Sequence, residues 1–163
     1  MDLERKIEEL DARLRAAEDQ LEILRLLSCY GPLVDSGAVT QAAGLWADGG
    51  GYDFTSAAGG RTRVEAPQGL ARVLQSPLHA DLVATGAAHV TAMPHITLSG
   101  DRADAVGYSF VIVNQDGRWH LWRAAINHWA LERTAGGWRI AERFNRVLDG
   151  SAESHATTRK VLA

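Results

Sequence analysis

Asp35 and His89 are the residues in this sequence best suited to proton chemistry. A carboxylate that accepts from one imidazole nitrogen fixes the ring tautomer and raises the basicity of the other nitrogen. The result is a general base working near neutral pH. Asp35 follows an apolar helix end, where a carboxylate can face the mouth of a pocket. His89 opens a long apolar segment directly after Thr85-Gly86-Ala87-Ala88. The residues alone also allow a plainer reading, and on spacing it is preferred. In that reading Asp35 caps the next helix from the segment Asp35-Ser36-Gly37, and His89 is a satisfied edge residue.

Other chemistries find less support. Six histidines invite a metal hypothesis, but no H-x-x-x-H or H-E-x-x-H helix pattern joins them. Cys29 is the single cysteine, which removes an internal disulfide framework and a cysteine-based zinc site. No metal and no cofactor is therefore expected, and most of the histidines are read as surface or interface residues. There is no G-x-S-x-G, and Ser28, Ser36, Ser56 and Ser76 have no evident base beside them. The glycines read as turns, since no strand leads into a G-x-G-x-x-G helix.

The elements that must position these residues follow from periodicity. Leu3, Ile7, Leu10, Leu14, Ala17, Leu21 and Leu24 alternate in steps of four and three, a heptad rhythm with charges between. This predicts a long N-terminal helix over 1–30, interrupted by Gly31-Pro32. Its narrow apolar stripe wants either its own domain or a partner helix, and the spacing does not choose. A short helix is expected over 40–46, then a glycine run at 49–51, a brief extended segment at 52–54 and a helix over 64–78. From residue 89 the pattern turns to strands, at 89–98, 103–114, 118–133 and 138–147. Ser99-Gly100-Asp101, Asp116-Gly117 and Gly136-Gly137 form the turns between them. Four strands joined by short turns imply an antiparallel meander with at least one face covered by helices. The strand at 118–133 is rich in tryptophan and wholly polar on neither side, which adds weight to oligomerisation.

The whole therefore reads as one α+β domain over 1–150 with a polar, loose tail at 151–163. A helical N-terminal half closes over a curved antiparallel sheet, leaving a cofactor-free pocket between them. The 163 residues can bury one good core, and 46% of them are apolar. A formal net charge of -3 argues against nucleic acid or an anionic membrane as partner. No window approaches the length of a membrane span, and the charged N-terminus does not read as a secretory signal. A reducing, cytoplasmic setting is expected.

Taken together, the layout resembles the SnoaL-like, scytalone-dehydratase-like branch of the nuclear transport factor 2-like superfamily. The resemblance rests on Tyr30 and Asp35 after the first helix and on Leu45-Trp46-Ala47-Asp48 leading to Tyr52-Asp53-Phe54. It continues through His89, Pro94-His95-Ile96, Gly100-Asp101-Arg102-Ala103 and Gly137-Trp138-Arg139-Ile140 to Arg143 and Asn145. The opening helix with Tyr30 and Asp35 is also similar to the bacterial bile-acid 7α-dehydratases. The resemblance implies a cone-shaped α+β barrel, with N-terminal helices over the concave face of the sheet, assembled as a homodimer or homotrimer.

It also implies that Asp35 and His89 form a catalytic dyad and that Tyr30 assists by binding a carbonyl or a departing water. Tyr52, Phe54, Asn127 and Arg143 become candidates for binding substrate, with Arg146 the rival of Arg143. One departure stands out. The strand that carries a second histidine in scytalone dehydratase, or an aspartate in the bile-acid enzymes, reads Tyr108-Ser109-Phe110-Val111-Ile112-Val113 here. Asn114 is its nearest polar group. The leaving-group acid would then be a tyrosine, or the reaction would need none.

The expected activity is a cofactor-independent dehydratase (lyase) or isomerase acting on an apolar, polycyclic or polyketide-like carbonyl compound. A polyketide cyclase using the same dyad, or a non-catalytic small-molecule-binding protein, is the alternative. Fold-level analogy cannot choose the reaction.

Overall fold

The computed structural model describes residues 3–56 and 59–162, so the first two residues of the helix expected over 1–30 lie outside it. Helix α1 (Leu3–Asp35) does not stop at Tyr30; it carries Pro32 inside its last turns. A proline in a helix interior costs roughly 3 kcal/mol. Burial of Tyr30, Gly31 and Val34 against the sheet offsets that cost. Local breaking signals are overridden here by tertiary packing.

The two halves of α1 differ. Leu3, Ile7, Leu10, Leu14 and Leu21 are exposed, whereas Ile23, Leu26 and Leu27 are buried in the core. Among the described residues of the single chain, the early apolar stripe therefore finds no cover. Asp19 anchors the middle of the helix, bonded to Arg133 at 2.5 Å and to the Trp138 indole at 3.2 Å. The Arg133 hydrogen bond holds the Asp19 carboxyl below its ordinary value.

After a short α2 (Val39–Ala43), strand β1 (Trp46–Thr55) includes the glycine run, with a shift of register against the last strand between Trp46 and Gly51 and a positive φ at Gly49. A Cβ at Gly51 would collide with the Arg63–Glu142 ion pair lying across the strand, so the glycines are what let β1 be a strand here. The helix expected over 64–78 is instead β2 (Arg61–Glu65), α3 (Gln68–Leu74) and α4 (Pro77–Thr85). Ser76 caps α4, accepting from the backbone N–H of His79, and Pro77 occupies its first turn.

The strand expected over 89–98 is two, β3 (Ala87–Thr91) and β4 (His95–Ser99), both pairing antiparallel with β5 (Arg102–Gln115). Pro94 sits in the break, and its backbone packs against Gly107 of β5. The long strands β6 (Arg118–Thr134) and β7 (Gly137–Val147) complete a seven-stranded sheet, six strands in the order β2-β1-β7-β6-β5-β3 and β4 beside β5 off that path. All these pairings are antiparallel except β1 with β7, which is parallel. The sheet is thus more than a meander, because β1 enters beside the last strand.

The segment expected to be a loose tail contains helix α5 (Ala152–Leu162), which packs on β5, β6 and β7 and buries Ser154. The architecture is α+β with a curved sheet and the N-terminal helix across it. Ile23, Leu27, Leu70, Leu131, Trp138 and Ile140 form the centre of the core. Each of its aliphatic members contributes roughly 1.5–3 kcal/mol of transfer free energy.

Candidate active site

Asp35 ends α1, and its carboxylate holds His89 at two points. Oδ2 accepts the backbone N–H of His89 at 2.8 Å, and Oδ1 lies 2.6 Å from the ring Nδ1. The contact depends on Gly31, one turn earlier, because a Cβ there would collide with the backbone carbonyl of His89. Glycine brings α1 and β3 together, and the approach brings the carboxylate to the imidazole. The capping role for Asp35 disappears: α2 is capped by Ala38, without a side-chain hydrogen bond. With a carboxylate accepting at Nδ1, the ring proton sits there and Nε2 presents its lone pair.

His89 lines a cavity of about 890 Å³, its open mouth included. Three of the sequence candidates stand on its wall. Tyr30 is 8% exposed, edge-on to Trp46 at 5.6 Å, while Tyr52 and Phe54 stack on each other at 4.7 Å. Burial pushes the Tyr30 hydroxyl up to about 12, against the opposing pull of the Arg143 charge. Tyr30 therefore stays a hydrogen-bond donor throughout the neutral range.

Arg143 also lines the cavity, whereas Arg146 is turned away to pair with Asp53 at 2.9 Å and Glu153 at 2.7 Å. The guanidinium of Arg143 is 4% exposed and lies 4.6 Å above the Tyr30 ring, 4.8 Å from Tyr52 and 5.6 Å from Trp129. Asn127 is fully buried behind this wall rather than on it. Its carbonyl oxygen accepts from Arg143 Nε at 3.0 Å and from Asn145 Nδ2 at 2.8 Å, and its own amide donates to Ser109 Oγ at 2.7 Å. Asn127 thus holds Arg143 from behind the wall.

Four further wall residues, none of them a sequence candidate, shape the polar side of the cavity. Arg123 donates from Nη2 to the Thr55 carbonyl at 2.7 Å and to Asn145 Oδ1 at 2.8 Å. Alternation along β6 had already set Arg123 on the same side as Asn127, a usable signal. Asn145 and Ser109 tie the two arginines to the sheet, so the β5 wall is not purely apolar. His79 is the fourth. Its ring lies 5.6 Å from that of His89, and its Nε2 is buried with no partner among the described residues. Burial, and then the charge of His89, hold His79 below its ordinary value. The signal that could have found it is Ser76-Pro77, a helix start hidden by reading one helix to Leu78.

Among the described residues, no three His, Cys, Asp or Glu side chains come together where they could hold a metal ion. No helix of these residues is long and apolar enough to cross a membrane. The arrangement offers an imidazole held by a carboxylate, a tyrosine donor and two guanidiniums around an apolar space.

Comparison with known proteins places this geometry among relatives. Residues 15–144 match the SnoaL-like domain. An NTF2-like protein with a cystatin-like fold from Novosphingobium aromaticivorans is 35% identical, with a TM-score of 0.88 over 96% of both chains. A function-unknown protein from Mycobacterium tuberculosis, solved as an aspartate-to-asparagine variant, is 19% identical, with a TM-score of 0.71 over 94% of this chain and 90% of that one. Aln2 from a Streptomyces species is 17% identical, with a TM-score of 0.68 over 79% of this chain and 90% of that one. The last two share the fold. No curated protein sequence matches the chain.

Proposed function

This chain belongs to the SnoaL-like domain family, and on that footing we propose that it is a cofactor-independent lyase or isomerase that moves a proton α to a carbonyl. The family and its NTF2-like fold make it a small-molecule-binding protein, and the family includes cyclases and dehydratases. The observation that carries the finer reading is the imidazole of His89, gripped by Asp35 at 2.6 Å and opening on an apolar cavity. Nε2 takes the α-proton of a bound ketone, and Asp35 stabilises the imidazolium that forms. Tyr30, kept protonated by its burial, donates to the oxygen as the enolate develops. For a β-hydroxy ketone, the carbon–oxygen bond then breaks as the enolate collapses to the enone. The departing hydroxide takes the proton back from Nε2 and leaves as water. For an isomerisation, the same proton returns to a different carbon. Neither course oxidises or reduces the substrate. A positioned acid–base group contributes about 10²–10⁴-fold, so the dry pocket and the tyrosine donor must supply more.

The test is a panel of cyclic ketones and β-hydroxy ketones incubated with the protein in D2O and followed by NMR. Deuterium entering the α position, or enone forming, in wild type and not in His89→Gln is the expected result. Equal traces in both proteins across the whole panel would overturn the reading and leave a binding protein. Self-association as a homodimer or homotrimer belongs to the same proposal. Its natural surfaces are the exposed stripe Leu3, Ile7, Leu10 and Leu14 and the exposed Trp119, Leu121 and Trp122 of β6.

A further inference from the structure

The cavity has a polar end that the proton-transfer chemistry leaves unused. Arg143 and Arg123 are both held by neutral acceptors. Arg143 Nε donates to the Asn127 amide oxygen, while Arg123 Nη2 donates to the Asn145 amide oxygen and the Thr55 carbonyl. Asn145 Nδ2 in turn donates to Asn127 Oδ1 at 2.8 Å, so a single chain of hydrogen bonds joins the two guanidiniums.

Among the described residues, the ion pairs of the protein are made by Arg61, Arg63, Arg133 and Arg146 and by two histidines. Neither Arg123 nor Arg143 has a carboxylate within 4.0 Å. Arg143 Nη1 is buried with no hydrogen-bond partner at all among those residues. A guanidinium keeps its charge in proteins, and burying a charge without a counter-ion is costly. The rings of Tyr30, Tyr52 and Trp129 compensate part of that cost through their faces. They cannot accept the in-plane Nη1–H bonds. What completes the set is a planar anion that meets the fork edge of Arg143 while its apolar body lies against Phe54, Leu74 and Phe110 of the wall.

We propose that Arg143, supported by Arg123, forms a carboxylate subsite in this cavity, and that the ligands of the protein are ring-bearing organic acids. The inference rests on the cavity being the substrate site, and it narrows the substrate class to apolar acids that also carry an enolisable carbonyl. Asn127, behind the wall, is a positioning residue for the subsite, and Asn145, on the wall, helps to aim both guanidiniums.

The experiment is isothermal titration of the full chain with 2-naphthoate and with 2-naphthamide, which has nearly the same shape and no charge. A charged hydrogen-bonded pair predicts a preference for the acid of about tenfold or more, weakening as salt rises. That preference should collapse in Arg143→Gln, shrink in Arg123→Gln and persist in His89→Gln. Equal affinity for acid and amide in wild type would overturn the subsite, as would the binding of neither. That comparison needs no variant, so it stands even if Arg143→Gln fails to fold. A preference that survives in folded Arg143→Gln would also overturn it. The two readings fail separately. Acid-selective binding without α-proton exchange sinks the proton-transfer reading and keeps the subsite, and exchange without acid selectivity does the reverse.

Discussion

Two aspartate–histidine pairs of nearly equal length stand among the described residues, and the histidine of the first lines the cavity. In the first, Asp35 meets Nδ1 of His89 at 2.6 Å and also takes the backbone N–H of the same residue. In the second, Asp104 meets Nε2 of His128 at 2.5 Å. The His128 ring stacks on Phe144 at 5.6 Å, and its carboxylate partner is 50% exposed. The difference lies in which nitrogen is left over. Asp35 leaves the outer nitrogen of His89 to the cavity, whereas Asp104 occupies the outer nitrogen of His128 and leaves the one nearer the backbone. A carboxylate beside an imidazole is thus an ordinary structural contact until the imidazole lines a mostly apolar cavity.

The strongest way to break this contrast is to remove each imidazole in turn. His89→Gln should lower turnover by about 10²–10⁴-fold, and Asp35→Asn should follow it. His128→Gln should stay within about twofold, as substitutions remote from a site do. Single-turnover α-proton exchange measures all three, and a large loss in His128→Gln would erase the distinction.

Tyr30→Phe sharpens the contrast, since Tyr30 lines the same cavity as His89. Removing that donor should cost ~10²-fold in rate with little change in fold. Because the hydroxyl ionises only at about 12, wild-type rates should show no Tyr30-dependent fall on the alkaline side up to about pH 10. A pH–rate profile of wild type against Tyr30→Phe checks this.

Gly31→Ala attacks the approach of α1 to β3 that creates the first pair. Overpacking at a close contact costs about 1–3 kcal/mol. Urea unfolding should show that loss, and the exchange rate should fall with it. His128 is held by a neighbouring strand rather than by α1, so this variant should leave the second pair intact.

The smallest effect concerns His79, whose ring neighbours His89. Its folded value lies below the ordinary 6.5 because burial penalises the charged ring. The unfolded chain therefore binds the extra proton more readily, and the protein loses stability as pH falls below about 6.5. His79→Gln should remove that loss. Urea midpoints at pH 7.5 and 5.5 should differ less in the variant than in wild type.

Much of this was legible because it is local. Turn chemistry at Ser99-Gly100-Asp101, Asp116-Gly117 and Gly136-Gly137 located the hairpins of β4, β5, β6 and β7. The heptad rhythm located α1, and the family resemblance named residues that the structure gathers at one cavity: Tyr30, Tyr52, Phe54, His89 and Arg143. Local signals misled where packing overrode them. Gly31-Pro32 reads as a break, yet it lies inside α1 because the backbone of β3 needs the space, and glycines 49–51 read as a loop, yet they lie within β1 beside its shift of register. His79 and Arg123 escaped notice for a related reason: a misplaced helix boundary hid one, and the tryptophans of β6 drew attention from the other.

By itself, then, the sequence determined the first helix, the hairpins of the later strands and the family, since propensity, periodicity and turn residues act over a few neighbouring positions. Only the tertiary structure decided that β1 lies parallel to β7, that the carboxylate of α1 reaches β3, and that Arg143 rather than Arg146 faces the cavity. Those outcomes depend on close approaches between segments far apart in the chain. The same approaches leave one imidazole nitrogen and one guanidinium edge without a protein partner among the described residues, and no local pattern of residues encodes that.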